Sequence, residues 1–149
     1  VEMSDDEILM IGGASMLLLH FATKKKRLSN SEHLATLDPA VQTKFKGFIS
    51  ELQQKGLEPI INSSTRSLLK QAVLKIKDPR NASPGKSKHS RQIRKAVDLQ
   101  VKFKGKYLGK KDPKAVWISS GVPQIASRYG LKWGGDIKGY YDPVHYEAV

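Results

Sequence analysis

The stretch from Asp38 to Ile61 constrains the fold more than any other part of this chain. Asp38-Pro39 reads as a helix N-cap followed by proline at the first helical position, where its missing N–H costs nothing. Val41, Phe45, Phe48, Ile49 and Leu52 then recur at helical spacing, and Gly56 fits the stop. Leu57–Ile61 is short and apolar, as a buried strand should be. A helix running directly into a buried strand points to a domain that mixes the two.

The remaining pattern agrees. Ser67–Lys77 predicts a second helix ending before Asp78-Pro79, and a Ser/Pro/Gly/Lys loop fills 81–88. Ala96–Phe103 alternates as a strand does, and Lys104–Lys111 reads as a basic turn or hairpin. Residues 113–129 contain helix, interrupted or restarted near Gly121-Val122-Pro123 and closed by Gly130. Leu131–Val149, rich in Gly and aromatics, predicts loops and short strands around a site. There are no internal repeats. The order helix, strand, helix, strand, helix, strand predicts a small α+β domain, and 149 residues leave room for one domain with one modest core.

Residues 1–26 read as a separate segment and 27–149 as the compact domain. Within the first, residues 8–22 form an apolar run preceded by acids and followed by Lys24, Lys25, Lys26 and Arg27. The run is shorter than the roughly 20 residues a membrane span needs. A secretory signal would carry its positive charge before the apolar stretch rather than after it. The expectations are a membrane anchor, a helix lying on a membrane, or a terminal helix packed on the domain or a partner.

Charge and cysteine content limit the chemistry. There are no cysteines, so disulfides, a thiol nucleophile and cysteine-held zinc are excluded, and any metal must be held by His, Asp or Glu. The net charge is +12, and residues 1–22 hold four acids and no Lys or Arg. The rest of the chain therefore sets 26 Lys and Arg against 10 acids, a net +16. Such a surface favours a polyanion: nucleic acid, an anionic membrane or a phosphate-rich cell wall. Gly85-Lys86-Ser87 has the end of a phosphate-binding loop, but Arg80 stands where that motif needs its first Gly, so no nucleotide site is read.

Four histidines are present. His20, in the apolar run, and His33, in a polar lead-in, read as structural or incidental. His89 precedes Ala96-Val97-Asp98-Leu99, and His145 lies in Tyr141-Asp142-Pro143-Val144-His145-Tyr146-Glu147. Two imidazoles and one carboxylate make the ligand set of a catalytic zinc that keeps a fourth position open for water. Spacing alone does not single this set out, since exposed His and Asp are common.

Four separated segments, in order, carry a resemblance. They are Ser64-Thr65-Arg66-Ser67, Ser87-x-His89 with Ala96-x-Asp98, Gly130-Leu131-x-Trp133-Gly134-Gly135-Asp136, and Asp142-Pro143-x-His145-Tyr146-Glu147. Over roughly residues 27–149 the chain resembles the D-alanyl-D-alanine carboxypeptidase/VanY-type zinc peptidases. That group includes phage endolysins cutting L-alanyl-D-glutamate bonds and is akin in structure to the Hedgehog signalling domain. The resemblance implies a Hedgehog/DD-peptidase-like domain with a central antiparallel sheet flanked by helices. It implies Zn2+ held by His89, Asp98 and His145, with Asp142 as general base and acid. Arg66 would bind substrate and polarise the scissile carbonyl, and Ser87 would orient the substrate or the ligand loop. Glu147 would orient an imidazole. Trp133, Tyr140, Tyr141 and Tyr146 fit either stacking on substrate or packing.

Three departures from the family pattern stand out. His89 and Asp98 are nine residues apart where the family has seven, and Arg94 replaces a family Gly. Ile137 also stands where an aromatic is usual, in the expected cleft wall. The implied activity is hydrolysis of peptide bonds in bacterial peptidoglycan, as a D,D- or L,D-carboxypeptidase or an L-alanyl-D-glutamate endopeptidase. Its setting would be the bacterial envelope or a phage or prophage virion, with membrane contact through residues 8–22. The alternatives are a wall-binding module of the same fold that has lost turnover and, on charge alone, a nucleic-acid binder. No motif supports specific nucleic-acid recognition, and oligomeric state is not legible.

Overall fold

The computed structural model describes residues 8–13, 16–21, 27–64, 80 and 94–149. The second predicted helix (67–77), the loop at 81–88, and with them Arg66, Ser87 and His89, lie outside the described residues.

The first pair of elements corrects an expectation. Residues 8–22 were expected to be helical, but β1 (Ile8–Gly13) and β2 (Met16–Phe21) form an antiparallel pair, with Gly13 opposite Met16. Gly12 and Gly13 explain the difference, since each costs a helix interior about 1 kcal/mol. Among the described residues no helix is long and apolar enough to cross a membrane.

The domain itself begins with α1 (Asn30–Ala35), a short helix the hydrophobic pattern does not announce. Its signal is polar: Ser29 Oγ accepts from the Glu32 N–H at 3.1 Å, the first half of a capping box. α2 (Pro39–Gln54) follows as expected, with the Asp38 side chain accepting from the Ala40 N–H at 3.0 Å. Gly56, at φ +73°, turns the chain out of α2, and the Leu57 N–H closes back on the Leu52 carbonyl. β3 is Ile60–Ser63, starting three residues later than the apolar run because Pro59 and its neighbours form the lead-in.

β4 (Ala96–Gln100) continues into a small hairpin, β5 (Lys102–Phe103) and β6 (Lys106–Tyr107). Helices α3 (Lys114–Ser120) and α4 (Val122–Arg128) meet at Gly121, where the break was expected. β7 (Leu131–Trp133), a 3-10 turn (Gly134–Asp136) and β8 (His145–Ala148) complete the chain. The main sheet is antiparallel in the order β3-β4-β8-β7, so the chain's last strand lies inside it.

Strand alternation divides this sheet into two faces. Val97, Leu99, Tyr146 and Ala148 are buried, and α2 supplies Phe45, Phe48 and Leu52 to the same core. Each large apolar side chain buried there contributes about 1.5–3 kcal/mol. The Phe48 and Tyr146 rings pack with centroids 5.3 Å apart. Asp98, His145 and Glu147 alternate with these residues and are only partly buried. The core therefore occupies one face of β4 and β8, and the polar residues share the other.

Candidate metal centre

Cross-strand register builds the centre. Asp98 on β4 lies directly opposite His145 on β8, and Ser63 at the end of β3 lies opposite Asp98. Directly opposed residues of an antiparallel pair present their side chains on one face. Asp98 Oδ1 is 3.3 Å from His145 Nδ1. Asp142 arrives by a tight turn, with the His145 N–H donating to the Asp142 carbonyl at 3.1 Å. One potential ligand atom from each of Asp98, Asp142 and His145 lies within 4.8 Å of the others.

The Trp133-Gly134-Gly135-Asp136 stretch holds this turn in place. Trp133 Nε1 donates to the Pro143 carbonyl at 2.7 Å, and the Asp142 N–H donates to the Gly134 carbonyl at 3.1 Å. Gly134 leaves no room for a side chain: a Cβ there would stand 2.2 Å from the Asp142 carbonyl oxygen and 2.8 Å from His145 Cβ. Asp136, the acid of this motif, is outside the cluster and pairs with Lys114 Nζ at 2.8 Å.

His145 has a carboxylate on each side. Its Nδ1 faces Asp98, and its Nε2 is 3.2 Å from Glu147 Oε2. Burial pushes the imidazole pKa down, but hydrogen bonds to Asp98 and Glu147 and the charges of Asp98 and Asp142 outweigh it. The net result is a rise to about 9. The same surroundings that favour a proton favour a divalent cation. An imidazole and two carboxylates, without sulfur, suit zinc. Glu147 on the far nitrogen is the carboxylate–histidine arrangement that orients a ligand ring.

The aromatics separate. Tyr146 is fully buried in the core, and its hydroxyl has no hydrogen-bond partner among the described residues. It is a packing residue, and stacking on substrate is excluded for it. Trp133 is also largely buried, but it lines a cavity of about 550 Å³ together with Gly134, Ile137, His145 and Glu147. Ile137 is exposed in that wall. Tyr141 is exposed, with its hydroxyl donating to the Asp112 carbonyl at 2.7 Å, and Tyr140 lies under the Arg80 guanidinium.

Of the departures noted in the sequence, Arg94 finds an explanation. It sits at φ +47°, the left-handed region where glycine is at ease. Here an arginine adopts this backbone conformation. His33, which reads as having no partner in sequence, is 7% exposed and bonded to Ser64 Oγ.

Fold and site together define an α+β domain with a carboxylate–imidazole centre open to a cleft. Residues 80–148 match the family model described as D-alanyl-D-alanine carboxypeptidase. Three solved structures share the fold. The Serratia marcescens L-Ala D-Glu endopeptidase ChiX is 16% identical with TM-score 0.61, over 83% of this chain and 89% of that one. The LD-carboxypeptidase LdcB is 19% identical with TM-score 0.61, over 99% and 70%. A variant of the vancomycin-resistance D,D-pentapeptidase VanY, in complex with Zn(II), is 20% identical with TM-score 0.56, over 76% and 72%. No curated protein matches the chain by sequence. The chain has the Hedgehog/DD-peptidase fold, and its segment 80–148 is similar to the D-alanyl-D-alanine carboxypeptidase family.

Proposed function

We propose that this protein is a zinc-dependent peptidase that hydrolyses peptide bonds in bacterial peptidoglycan. The observation that carries the proposal is the convergence of Asp98, Asp142 and His145 ligand atoms within 4.8 Å on the polar face of the sheet. The zinc bound to the VanY structure and the peptidoglycan recognition described for LdcB support the metal and the substrate class.

In this reading His89, Asp98 and His145 hold the metal. The chemistry zinc supplies when bound is Lewis acidity toward water and the scissile carbonyl. Asp142 takes the proton of the attacking water and returns it to the leaving amine. Arg66 stabilises the carbonyl oxygen as it gains charge, and Ser87 orients the substrate. Glu147 holds the His145 ring. Trp133 and Ile137 shape the cleft wall, and Tyr141 flanks the substrate. Lysis in a phage or prophage setting, at the bacterial envelope or from a virion, is the context we propose. The +16 surface would hold the protein on anionic wall polymers, and the apolar segment 8–22 with its basic flank would contact membrane.

Zinc-loaded protein incubated with purified peptidoglycan should release fragments with new amino and carboxyl termini, identified by mass spectrometry. A chelator should abolish release and added zinc restore it. Wall binding without new termini would instead identify a module that has lost turnover.

A further inference from the structure

The basic segment after β4 is a rigid ridge that ends at the cleft. Between residues 102 and 114 the chain carries six lysines and a single acid, Asp112. Lys104 and Gly105, at φ +53° and +80°, close the hairpin between the paired Phe103 and Lys106. Two positive φ values suit a two-residue hairpin loop, but the left-handed region is costly for any residue with a Cβ. The lysine at the hairpin tip therefore stands where glycine or asparagine would sit more easily.

Asp112 is used within the ridge. Its carboxylate accepts from the Gly109 N–H at 2.7 Å and from Lys106 Nζ at 3.1 Å, which ties the 109–112 turn to the hairpin. Trp117 Nε1 donates to the Gly109 carbonyl at 3.2 Å and fixes the same turn from the core side. Glu58 is engaged too, by Lys102 Nζ at 3.6 Å and by the Tyr107 hydroxyl at 3.3 Å. Lys104, Lys110 and Lys111 are exposed and have no ion pair among the described residues. At the far end Lys114 pairs with Asp136 and stands over the Trp133 ring, and both of these residues line the cleft. The Tyr141 hydroxyl, donating to the Asp112 carbonyl, ties the turn to the loop that carries Asp142.

We propose that this ridge binds a phosphodiester polymer of the bacterial wall and so holds the cleft beside the peptides it cuts. The second half of that statement rests on the peptidase reading. Lys104, Lys110 and Lys111, unpaired on a rigid support, suit a flexible chain of phosphates. Single-stranded nucleic acid fits less well, because its sites add exposed rings on which bases stack. Here Phe103 lies under the Lys104 ammonium, and the Tyr107 hydroxyl is tied to Glu58.

Binding of poly(glycerol phosphate) to the full, zinc-loaded chain, measured over a range of salt, tests the ridge by itself. Lys104→Gln/Lys110→Gln/Lys111→Gln should weaken binding by about tenfold or more. The log–log salt slope should flatten by about 0.7 for each lysine removed, as for a flexible polyanion. Lys44→Gln/Lys46→Gln on α2 is the control. Lys44 lies beside Gly130, and β7 begins level with Lys95, whereas the hairpin leaves β4 beyond Gln100. This control should change binding by no more than about twofold per lysine less than the ridge variant does. In the ridge variant kcat/KM on a soluble wall peptide should stay at the wild-type value, while release from intact walls falls by about tenfold. Stripping the polymer from the walls should erase that difference. Equal weakening per lysine by the α2 pair, unchanged binding in the ridge variant, or tighter binding to single-stranded DNA of equal charge would each overturn the proposal. A wild type that binds zinc but cleaves no wall peptide would refute the peptidase reading, while the polymer titration still judges the ridge.

Discussion

Asp98 and His145 stand directly opposite each other on neighbouring antiparallel strands, with Oδ1 and Nδ1 3.3 Å apart. Their separation is set by strand register, not by the loop between Ser87 and Asp98. The extra two residues between His89 and Asp98 therefore do not move Asp98 relative to His145. Asp98→Ala and His145→Ala should each reduce bound zinc to near zero, read by metal analysis of carefully prepared protein. Full zinc content in Asp98→Ala would mean that another carboxylate takes its place.

Asp142 is the sharper case because it lies within the same cluster but is assigned a proton rather than the metal. Asp142→Asn keeps shape and removes the base. Turnover should fall by about 10²–10⁴-fold while zinc and fold persist. A parallel loss of zinc would show that the carboxylate is a ligand instead.

Gly134→Ala should damage the site without touching any polar group. The added methyl meets the Asp142 carbonyl and His145 Cβ, neither of which is the far end of a flexible chain. Forcing them apart should cost about 1–3 kcal/mol in stability and weaken zinc binding, read by unfolding and by metal titration. Wild-type zinc affinity in this variant would mean that the turn relaxes at no cost to the centre.

Arg94→Gly should act in the opposite direction. A non-glycine residue at φ +47° carries a penalty of about 1 kcal/mol, and the 3.5 Å bond to the Thr36 carbonyl returns little of it. The variant should be more stable by up to about 1 kcal/mol in urea unfolding. Destabilisation would show that the guanidinium matters more than the backbone strain.

His33 gives a pH dependence. Burial, then the nearby Arg27 charge, lowers its pKa below the usual 6.5, against a smaller opposing effect of Glu32. The folded state therefore takes up a proton less readily than the unfolded chain. Its stability contribution is complete above about pH 6.5 and is lost as pH falls through the depressed folded-state value. Between pH 7.5 and 5.5 the wild type should lose more stability than His33→Asn, and equal losses would assign the acid sensitivity elsewhere.

Local pattern was enough for some elements and not for others. α2 was legible because proline, N-cap and apolar spacing act within one turn or two of each other. The break at Gly121 and the short strands after Leu131 were legible for the same reason. The run 8–22 was not: fifteen apolar residues satisfy a helix or a hairpin equally, and only pairing chooses. α1 escaped because six residues carry no periodicity, although Ser29 and Glu32 marked its start.

The site divides along the same line. Residue types and motif order by themselves determined which side chains could serve the chemistry: His, Asp and Arg without cysteine, and Asp142 three residues before His145. Tertiary structure alone decided that Asp98 and His145 share a face, that Gly134 is a clearance for the Asp142 turn, and that His33 is tied to Ser64. The reason is physical. Motifs record residues near one another along the chain, whereas these relations join positions 31 to 47 residues apart in two cases and eight or more in the third. They exist only once strand register and helix packing have brought those segments together.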